Sequence, residues 1–145
     1  MTTASFPNAT SIGSSTFYNC YKLTTASFPN ATTISGYAFA CCDSLTTASF
    51  PNVTTLGSSA FYNCYKLTTV SFPKATSIGS YAFYWCSKLT SIYFTGSSIP
   101  TLANSNAFSN IATSYSIYVA ESLYSKYIVA TQWSMISSRI TSYIS

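Results

Sequence analysis

Apolar and polar side chains alternate in a short stretch that recurs every 22 residues along most of the chain. The clearest copy is residues 45–66, LTTASFPNVTTLGSSAFYNCYK, and residues 1–22, 23–44 and 67–88 repeat it. At its fourth and sixth positions an aliphatic residue and a phenylalanine alternate with Thr and Ser, which predicts a short β-strand. A proline follows in each copy and, because it lacks an N–H for the ladder, ends that strand. A fixed period of this length is typical of a solenoid.

The second half of each copy predicts another extended segment and then a turn. A small apolar residue, followed three positions later by Ile or Leu, is consistent with a second short strand, and a glycine marks the turn after it. A phenylalanine and a cysteine then follow at i, i+3 spacing, which places both on one face of a short helical turn. These pairs are Phe17 and Cys20, Phe39 and Cys42, Phe61 and Cys64, and Phe83 and Cys86.

Each copy therefore forms one coil whose apolar side chains must be covered by the coils on either side. Coils stacked at the inter-strand spacing of about 4.8 Å place each Phe, Leu and Cys on its counterpart. Burial of each Phe or Leu contributes roughly 1.5–3 kcal/mol before conformational entropy is counted. One coil alone cannot bury its apolar face, so several coils are needed for stability.

The repeat L-x-x-[AVI]-x-F-P…[IL]-G-x-x-[AT]-F-x-x-C resembles the BspA-like leucine-rich repeats of bacterial surface proteins, and the resemblance covers residues 1–94. It implies a leucine-rich-repeat right-handed solenoid that is β-rich, with a parallel sheet on the concave face and short helical turns on the other side. It also implies adhesion or protein binding at a bacterial or parasite surface. The second copy departs from the pattern, since Ser35 replaces the usual Gly and Cys41 and Asp43 replace Asn and Tyr.

The period decays after residue 88, and we expect a repeat array over residues 1–110 followed by a small α/β C-terminal cap over residues 111–145. Residues 89–110 are interpreted as a degenerate fifth coil whose Ala-Phe pair arrives three residues late. Residues 116–119 predict a strand, and residues 121–131 predict a helix with Glu121 in its first turn, where a carboxylate suits the helix dipole. Trp133, Ile136 and Ile140 supply a last apolar patch. This segment resembles the terminal module that closes such arrays.

The first copy starts in register at residue 1, which is typical of a segment cut from a longer protein. Its apolar residues Phe6, Ile12 and Phe17 have no preceding coil in this sequence. We therefore expect this coil to fray or to self-associate with another chain, as unprotected sheet edges do.

Composition narrows the choice of function. Only 6% of the 145 residues are charged and the net charge is +4, without a run of basic residues, so we expect no nucleic-acid partner. Lys22, Lys66 and Lys88 share one repeat position, and we interpret them as a solvated edge. No apolar run approaches the ~20 residues of a membrane-spanning helix.

Catalysis is poorly supported. The chain has no His, so Ser-His and Cys-His nucleophile pairs are excluded. The two carboxylates, Asp43 and Glu121, are separated by roughly 15 Å or more of stacked coils, whereas paired-carboxylate chemistry needs about 5–10 Å. No phosphate loop or dinucleotide fingerprint occurs. We predict no catalytic, cofactor-binding or metal-binding residues and no cofactor.

The cysteines follow the repeat period, which is not metal-ligand spacing. Stacked cysteines point the same way, so a disulfide between coils requires distortion. We interpret the repeat cysteines as buried free thiols that act as small hydrophobes. The off-pattern Cys41 is expected to be exposed, and any disulfide or reactive thiol should involve it.

Two surfaces are candidates for interaction. The first is a ladder of outward hydroxyls on the strands, and the second is a strip of tyrosines and one tryptophan beside the cysteine turn. Each has a structural alternative, because Thr and Ser suit solvent-facing strands and aromatic rings can simply shield a turn. The candidate residues are Thr25, Ser27, Thr47, Ser49, Thr69 and Ser71 on the ladder, and Tyr18, Tyr62, Tyr65, Tyr84 and Trp85 on the strip.

We interpret the chain as a non-catalytic repeat module for protein–protein interaction or adhesion at a bacterial surface, and the resemblance implies an extracellular or cell-surface location. Two alternatives stay open. One is a structural spacer or tail-fibre-like module, and the other is glycan binding through the Tyr/Trp strip. The partner is an unknown protein or glycan.

Overall fold

The computed structural model describes residues 1–144, and each of the first five coils contributes two short strands, as the repeat pattern predicts. The first strands of the coils are β1 (Thr3–Ser5), β3 (Thr25–Ser27), β5 (Thr47–Ser49), β7 (Thr69–Ser71) and β9 (Ser91–Phe94). The second strands are β2 (Ser11–Ile12), β4 (Thr33–Ile34), β6 (Thr55–Leu56), β8 (Ser77–Ile78) and β10 (Thr101–Leu102). Two further strands follow, β11 (Ser116–Ala120) and β12 (Ile140–Tyr143).

The strands form parallel sheets whose register follows the repeat. On one side, which we call the first sheet face, β1, β3 and β5 form one hydrogen-bonded group, and β7, β9, β11 and β12 form another. The second strands form an unbroken five-stranded sheet. Equivalent residues pair directly, as Ala4 does with Ala26. The strands β5 and β7 lie side by side without a ladder between them, at the step where the small Ala48 is followed by the larger Val70.

The third side of each coil is a chain of tight turns. In the third coil, Tyr62 N donates to Ser59 O at 3.1 Å within the coil, while Phe61 N donates to Ala82 O at 2.8 Å in the next coil. Because alternate N–H groups leave the coil, a continuous helical pattern cannot form, and Ser59 and Asn63 adopt positive φ angles of 57° and 60°. The predicted short helical turns are therefore single i, i+3 turns in the first four coils, and a regular 3-10 helix forms in the fifth coil, over Ser105–Phe108.

Two columns of phenylalanine rings fill the core. The column behind the first sheet face includes Phe28, Phe50 and Phe72, whose neighbouring ring centroids are 5.9 Å apart. The column behind the turns includes Phe39 and Phe61, stacked at 5.3 Å with an interplanar angle of 5°. All five rings are buried. The predicted self-stacking of equivalent phenylalanines is therefore confirmed.

Three of the repeat cysteines, Cys42, Cys64 and Cys86, form a third buried column. Cys64 Sγ donates to Phe39 O and Cys86 Sγ donates to Phe61 O, both at 3.0 Å. Burial raises the pKa of the Cys64 thiol well above its usual range. The Cys42 thiol also has a raised pKa, first because of its hydrogen bond with Cys64 and then because of burial. All the repeat thiols are free, which confirms the interpretation as small buried hydrophobes for Cys42, Cys64 and Cys86, whereas Cys20 in the first coil is only half-buried.

The segment after residue 115 extends the first sheet face instead of leaving it. The strand β11 pairs in register with β9, and β12 pairs with β11. Between them the chain forms a 3-10 turn over Glu121–Leu123, the short helix α1 (Tyr124–Tyr127) and a 3-10 segment over Trp133–Arg139. The predicted strand is confirmed with one more residue. The predicted helix over residues 121–131 was too long, because after α1 the bond from Ala130 N to Tyr127 O spans three residues and not four, and Val129 is exposed.

Trp133 closes the end of the two phenylalanine columns. Its ring lies 5.7 Å from Phe94 and 6.0 Å from Phe108, measured between centroids, and its Nε1 donates to Pro100 O at 2.8 Å. The Tyr127 ring packs edge-on against it at 5.1 Å. This packing supports a capping role for the segment, and the division into an array of residues 1–110 and a cap of residues 111–145 stays a prediction.

The first coil differs from the others in the exposure of one ring. Phe6 is 43% exposed, whereas its counterpart Phe28 is buried. Ile12 and Phe17 are buried within the chain, so Phe6 is the only exposed one of the three residues named for this coil. None of the helices in residues 1–144 has the length and apolar character needed to cross a membrane.

Candidate interaction surfaces

The outward hydroxyls of the first sheet face differ from the other threonines of the repeat in their hydrogen bonding. Thr46, the residue just before β5, donates from its Oγ1 to Thr24 O of the preceding coil at 3.2 Å. Thr54, the residue just before β6, donates in the same way to Thr32 O at 3.2 Å. These threonines are used to join coils. Within residues 1–144, the structure shows no side-chain hydrogen bond from the candidate ladder residues, which are Thr25, Ser27, Thr47, Ser49, Thr69 and Ser71.

The ladder is open to solvent over most of its length. Its residues on β5 and β7 are exposed, and Thr25 and Ser27 on β3 are half-buried. Alternation along each strand explains this arrangement, because the residue between the two hydroxyls, such as Val70, points into the core. The structure therefore leaves a regular field of free hydroxyl donors and acceptors on this face.

Three side chains of the aromatic strip lie together in the third and fourth coils, with Tyr81 beside them. The Tyr62 and Tyr84 rings are stacked with centroids 5.5 Å apart, and Tyr81 meets Tyr84 edge-on at 5.2 Å. Trp85 is 52% exposed, lies 6.2 Å from Tyr84 and adopts a φ of 64°. We call Tyr62, Tyr81, Tyr84 and Trp85 the turn cluster.

The second coil interrupts the strip. Ala40 occupies the position of Tyr18 and Tyr62 and is fully buried, so Tyr18 stands apart from the turn cluster. Asp43 likewise separates Tyr21 from Tyr65, both of which are exposed. The continuous aromatic strip predicted from the sequence is therefore one compact cluster and several isolated rings.

Cys41 lies in the same coil, where other coils have Asn. It adopts a φ of 60° and is half-buried, so it is less exposed than expected. Its Sγ lies 4.0 Å from Asn63 Nδ2. No cysteine within the described residues is paired, and the reactivity of Cys41 stays a prediction.

One carboxylate oxygen of Asp43 is buried without a hydrogen-bond partner.

A second aromatic group was missed from the sequence. Tyr93, Tyr118 and Tyr143 lie together on the first sheet face, and we call them the sheet cluster. Alternation along β9 predicts that Tyr93 faces outward, between the buried Ile92 and Phe94, but a single strand does not reveal its neighbours. Tyr118 follows Tyr93 by 25 residues, which is the repeat period plus the three inserted residues of the fifth coil. That sum is the signal that predicts their pairing.

Charged groups are sparse around these surfaces. Lys74 Nζ donates to Asn52 Oδ1 at 2.6 Å, and Arg139 lies over the Tyr115 ring at 4.5 Å from its centroid. Lys22, Lys66 and Lys88 are exposed at one repeat position, as a solvated edge requires. In the described part of the chain, no group of three or more His, Cys, Asp or Glu side chains is arranged to hold a metal ion.

Comparison with known proteins identifies the repeat and the fold. The model of the BspA type leucine rich repeat region matches residues 2–128 in 6 copies. No curated protein sequence matches the chain. Among solved structures, the chain is similar to a leucine-rich repeat protein from Bacteroides ovatus, with a TM-score of 0.78 and 22% identity over 99% of this chain. It spans 37% of that protein's length, and the likeness confirms the leucine-rich repeat solenoid.

Proposed function

We propose, because the chain belongs to the BspA-type leucine-rich repeat family, that it is a non-catalytic module that binds another protein and serves adhesion at a bacterial surface. A cell-surface or extracellular location is part of this proposal. The observation that carries it is the free hydroxyl ladder of the first sheet face. Neighbouring threonine columns use their hydroxyls to join coils, whereas the ladder hydroxyls have no partner among the described residues.

A surface of this kind binds by many small contacts. Each exchange of a hydroxyl–water bond for a protein–protein bond contributes only about 0.5–1.5 kcal/mol. The ladder compensates by repetition, since exposed hydroxyls recur on each strand at about 4.8 Å. A partner with extended backbone or polar side chains can contact several strands at once.

The test introduces charge and bulk into the ladder. The double variant Thr47→Arg, Ser49→Arg changes two exposed positions of β5, and binding is measured by interferometry against a panel of purified extracellular-matrix and plasma proteins. We expect the variant to lose any binding shown by the parent protein. The matched control is Ser14→Arg, Ser58→Arg, which adds the same charge at exposed positions outside the strands. Equal loss in both variants, or no binding by the parent protein, contradicts the proposal.

The turn cluster supports a second candidate function, glycan binding through its exposed rings. Tyr84 stacks on Tyr62, and Trp85 exposes half of its surface, and aromatic rings of this type are typical of interfaces. The repeat supplies conservative variants, because the equivalent residues in other coils are Ala40 and Asn63. Tyr84→Ala, Trp85→Asn should abolish binding on a glycan array and leave the far-UV circular dichroism unchanged. Unchanged glycan binding removes this candidate.

A structural spacer or tail-fibre-like role is the remaining alternative. Self-association through the first coil is compatible with this role and with the binding roles above. The cleft of about 150 Å³ beside Phe6 and Phe17 supports such a contact. Light scattering at high protein concentration tests it, with Phe6→Ser as the variant. A monomer at every concentration contradicts self-association.

A further inference from the structure

The outward side chains of the first sheet face change from small to aromatic between β7 and β9. Ser71 pairs in register with Tyr93, and Tyr93 pairs with Tyr118. The Tyr93 and Tyr118 rings are stacked with centroids 4.6 Å apart and planes at 14°, so they follow the spacing of neighbouring strands. Because the β7 neighbour, Ser71, is small and exposed, no ring from β7 stacks on the other face of Tyr93, and we take that face as the one open to a ligand.

Tyr143 holds this stacked pair in place. Its ring meets Tyr93 edge-on at 5.5 Å and 85°, and Tyr118 at 6.3 Å and 77°. Its register partner on β11 is Ala120, whose methyl group leaves room for the ring to lean across the strand. The three rings therefore order one another before any ligand arrives, which lowers the entropic cost of binding to them.

A cleft adjoins the sheet cluster at the carboxyl ends of β9, β11 and β12. Its volume is about 380 Å³, and its lining includes Thr95, Glu121, Ser122 and Tyr143. This volume lies in the range of small-ligand sites, about 300–1,000 Å³. Thr95 is two residues beyond Tyr93, about 7 Å along the strand direction. The free face of Tyr93 and the cleft are thus within the length of a disaccharide.

The chemistry of these groups selects the class of ligand. A flat face with a negative quadrupole favours contact with polarised C–H groups, and serine and threonine hydroxyls both donate and accept hydrogen bonds. The Glu121 carboxylate accepts hydrogen bonds only, and it is the single charged side chain among the described residues that line the cleft. A polyanion is repelled by it, and three half-exposed rings offer too little apolar area for the core of a protein interface.

We propose that the sheet cluster and the adjoining cleft bind a neutral oligosaccharide. One sugar ring lies with its C–H face on Tyr93, above Ser71, and the next sugar enters the cleft, where its hydroxyls donate to Glu121 and exchange bonds with Thr95. This site is separate from the turn cluster and does not depend on protein binding by the ladder.

The repeat again provides the variant that tests the site. Tyr93→Ser installs the residue that the fold carries at the same position in β1, β3, β5 and β7, so folding should be preserved, and thermal unfolding checks this. Affinity is measured by calorimetry against neutral gluco-, galacto-, manno- and xylo-oligosaccharides of three to six units, chosen after a glycan-array screen. We expect Tyr93→Ser to weaken binding at least tenfold and Glu121→Gln to weaken it several-fold, whereas Tyr21→Ser, which removes an exposed ring outside both clusters, should leave it unchanged.

Three results overturn the proposal. The first is a silent array and calorimetry without heat for every oligosaccharide in the panel. The second is binding that survives Tyr93→Ser and is lost in Trp85→Asn, which assigns the glycan to the turn cluster. The third is loss of a protein or peptide partner in Tyr93→Ser with no saccharide bound, which makes the cluster part of a protein interface. The variant Thr47→Arg, Ser49→Arg lies two strands away and reports on the ladder alone.

Discussion

Truncation of a phenylalanine should cost much more stability in the middle of the solenoid than in its first coil. Phe50 is buried and has ring neighbours on both sides, at 5.9 Å from Phe28 and 5.9 Å from Phe72. Phe50→Ala removes these contacts and leaves a cavity that the stacked coils cannot collapse, at a cost of about 3–5 kcal/mol. Such a loss is a large fraction of the stability of an ordinary domain.

The same substitution at Phe6 is the matched control, because the two residues share one repeat position. Phe6 is 43% exposed and stacks on one side only, 5.4 Å from Phe28. Because Phe6 buries only about half of its ring and the space left by truncation is open to water, Phe6→Ala should lower the free energy of unfolding by about 1–2 kcal/mol. The difference between the two variants is therefore about 2–3 kcal/mol.

Urea unfolding followed by far-UV circular dichroism, under reducing conditions, measures this difference. At a slope of about 1–3 kcal/mol per molar urea, the midpoint of Phe50→Ala should lie roughly 1 M or more below that of Phe6→Ala. Because stacked repeats can unfold in steps, the midpoint of the first transition is the quantity compared. Equal midpoints for the two variants would falsify the view that ring burial in the columns dominates the stability.

Three further predictions follow from single contacts. Gly79→Ala should lower the urea midpoint strongly, because the added Cβ would lie 2.5 Å from a backbone atom. Gly13→Ala is the control and should lower it little, because the closest atom there is a side-chain oxygen at 3.3 Å. Similar shifts of the midpoint in the two variants contradict this prediction. Tyr127→Phe should be neutral or stabilising by about 1 kcal/mol in thermal unfolding, since the hydroxyl is buried without a partner; a large loss of stability means that the hydroxyl is bonded. The free energy of unfolding should be constant from pH 7 to about 9 and fall at higher pH. The thiols of Cys42 and Cys64 stay protonated in the folded protein because their pKa values are raised, whereas in the unfolded chain these thiols lose their protons near the ordinary cysteine pKa of 9.0. The slope is at most about 1.4 kcal/mol per pH unit per thiol, and a flat urea midpoint up to pH 11 contradicts the raised pKa values.

The parts of the fold that depend on one coil and its identical neighbour could be predicted from the sequence. Alternation around Val70 directly reports which side chains face the core, and the period dictates that each ring stacks on its counterpart. The turns were predicted less well. Whether the N–H of Phe61 bonds within its coil or to the next coil depends on the stacking distance, which no single repeat contains.

The candidate sites, like the fold, could be predicted from the sequence where they follow the repeat and could not where they depart from it. The ladder followed from strand alternation at Thr47 and its equivalents. The turn cluster is smaller than the strip in the sequence, since Ala40 removes a ring from the second coil. The sheet cluster needed the path of the chain after residue 120, because Tyr143 reaches Tyr118 only through the pairing of β12 with β11. A segment without a repeat offers no pattern from which that register can be derived.

Columns of identical side chains also allow the chain to stack incorrectly during folding. A coil that packs on its second neighbour, with the intervening coil looped out, still matches phenylalanine with phenylalanine and cysteine with cysteine. Misassembly of this kind is a characteristic failure of repeat proteins. The contacts of Trp133 break the degeneracy, because its hydrogen bond to Pro100 O exists in the fifth coil only. These contacts therefore fix the register of the fifth coil at the carboxyl-terminal end of the solenoid.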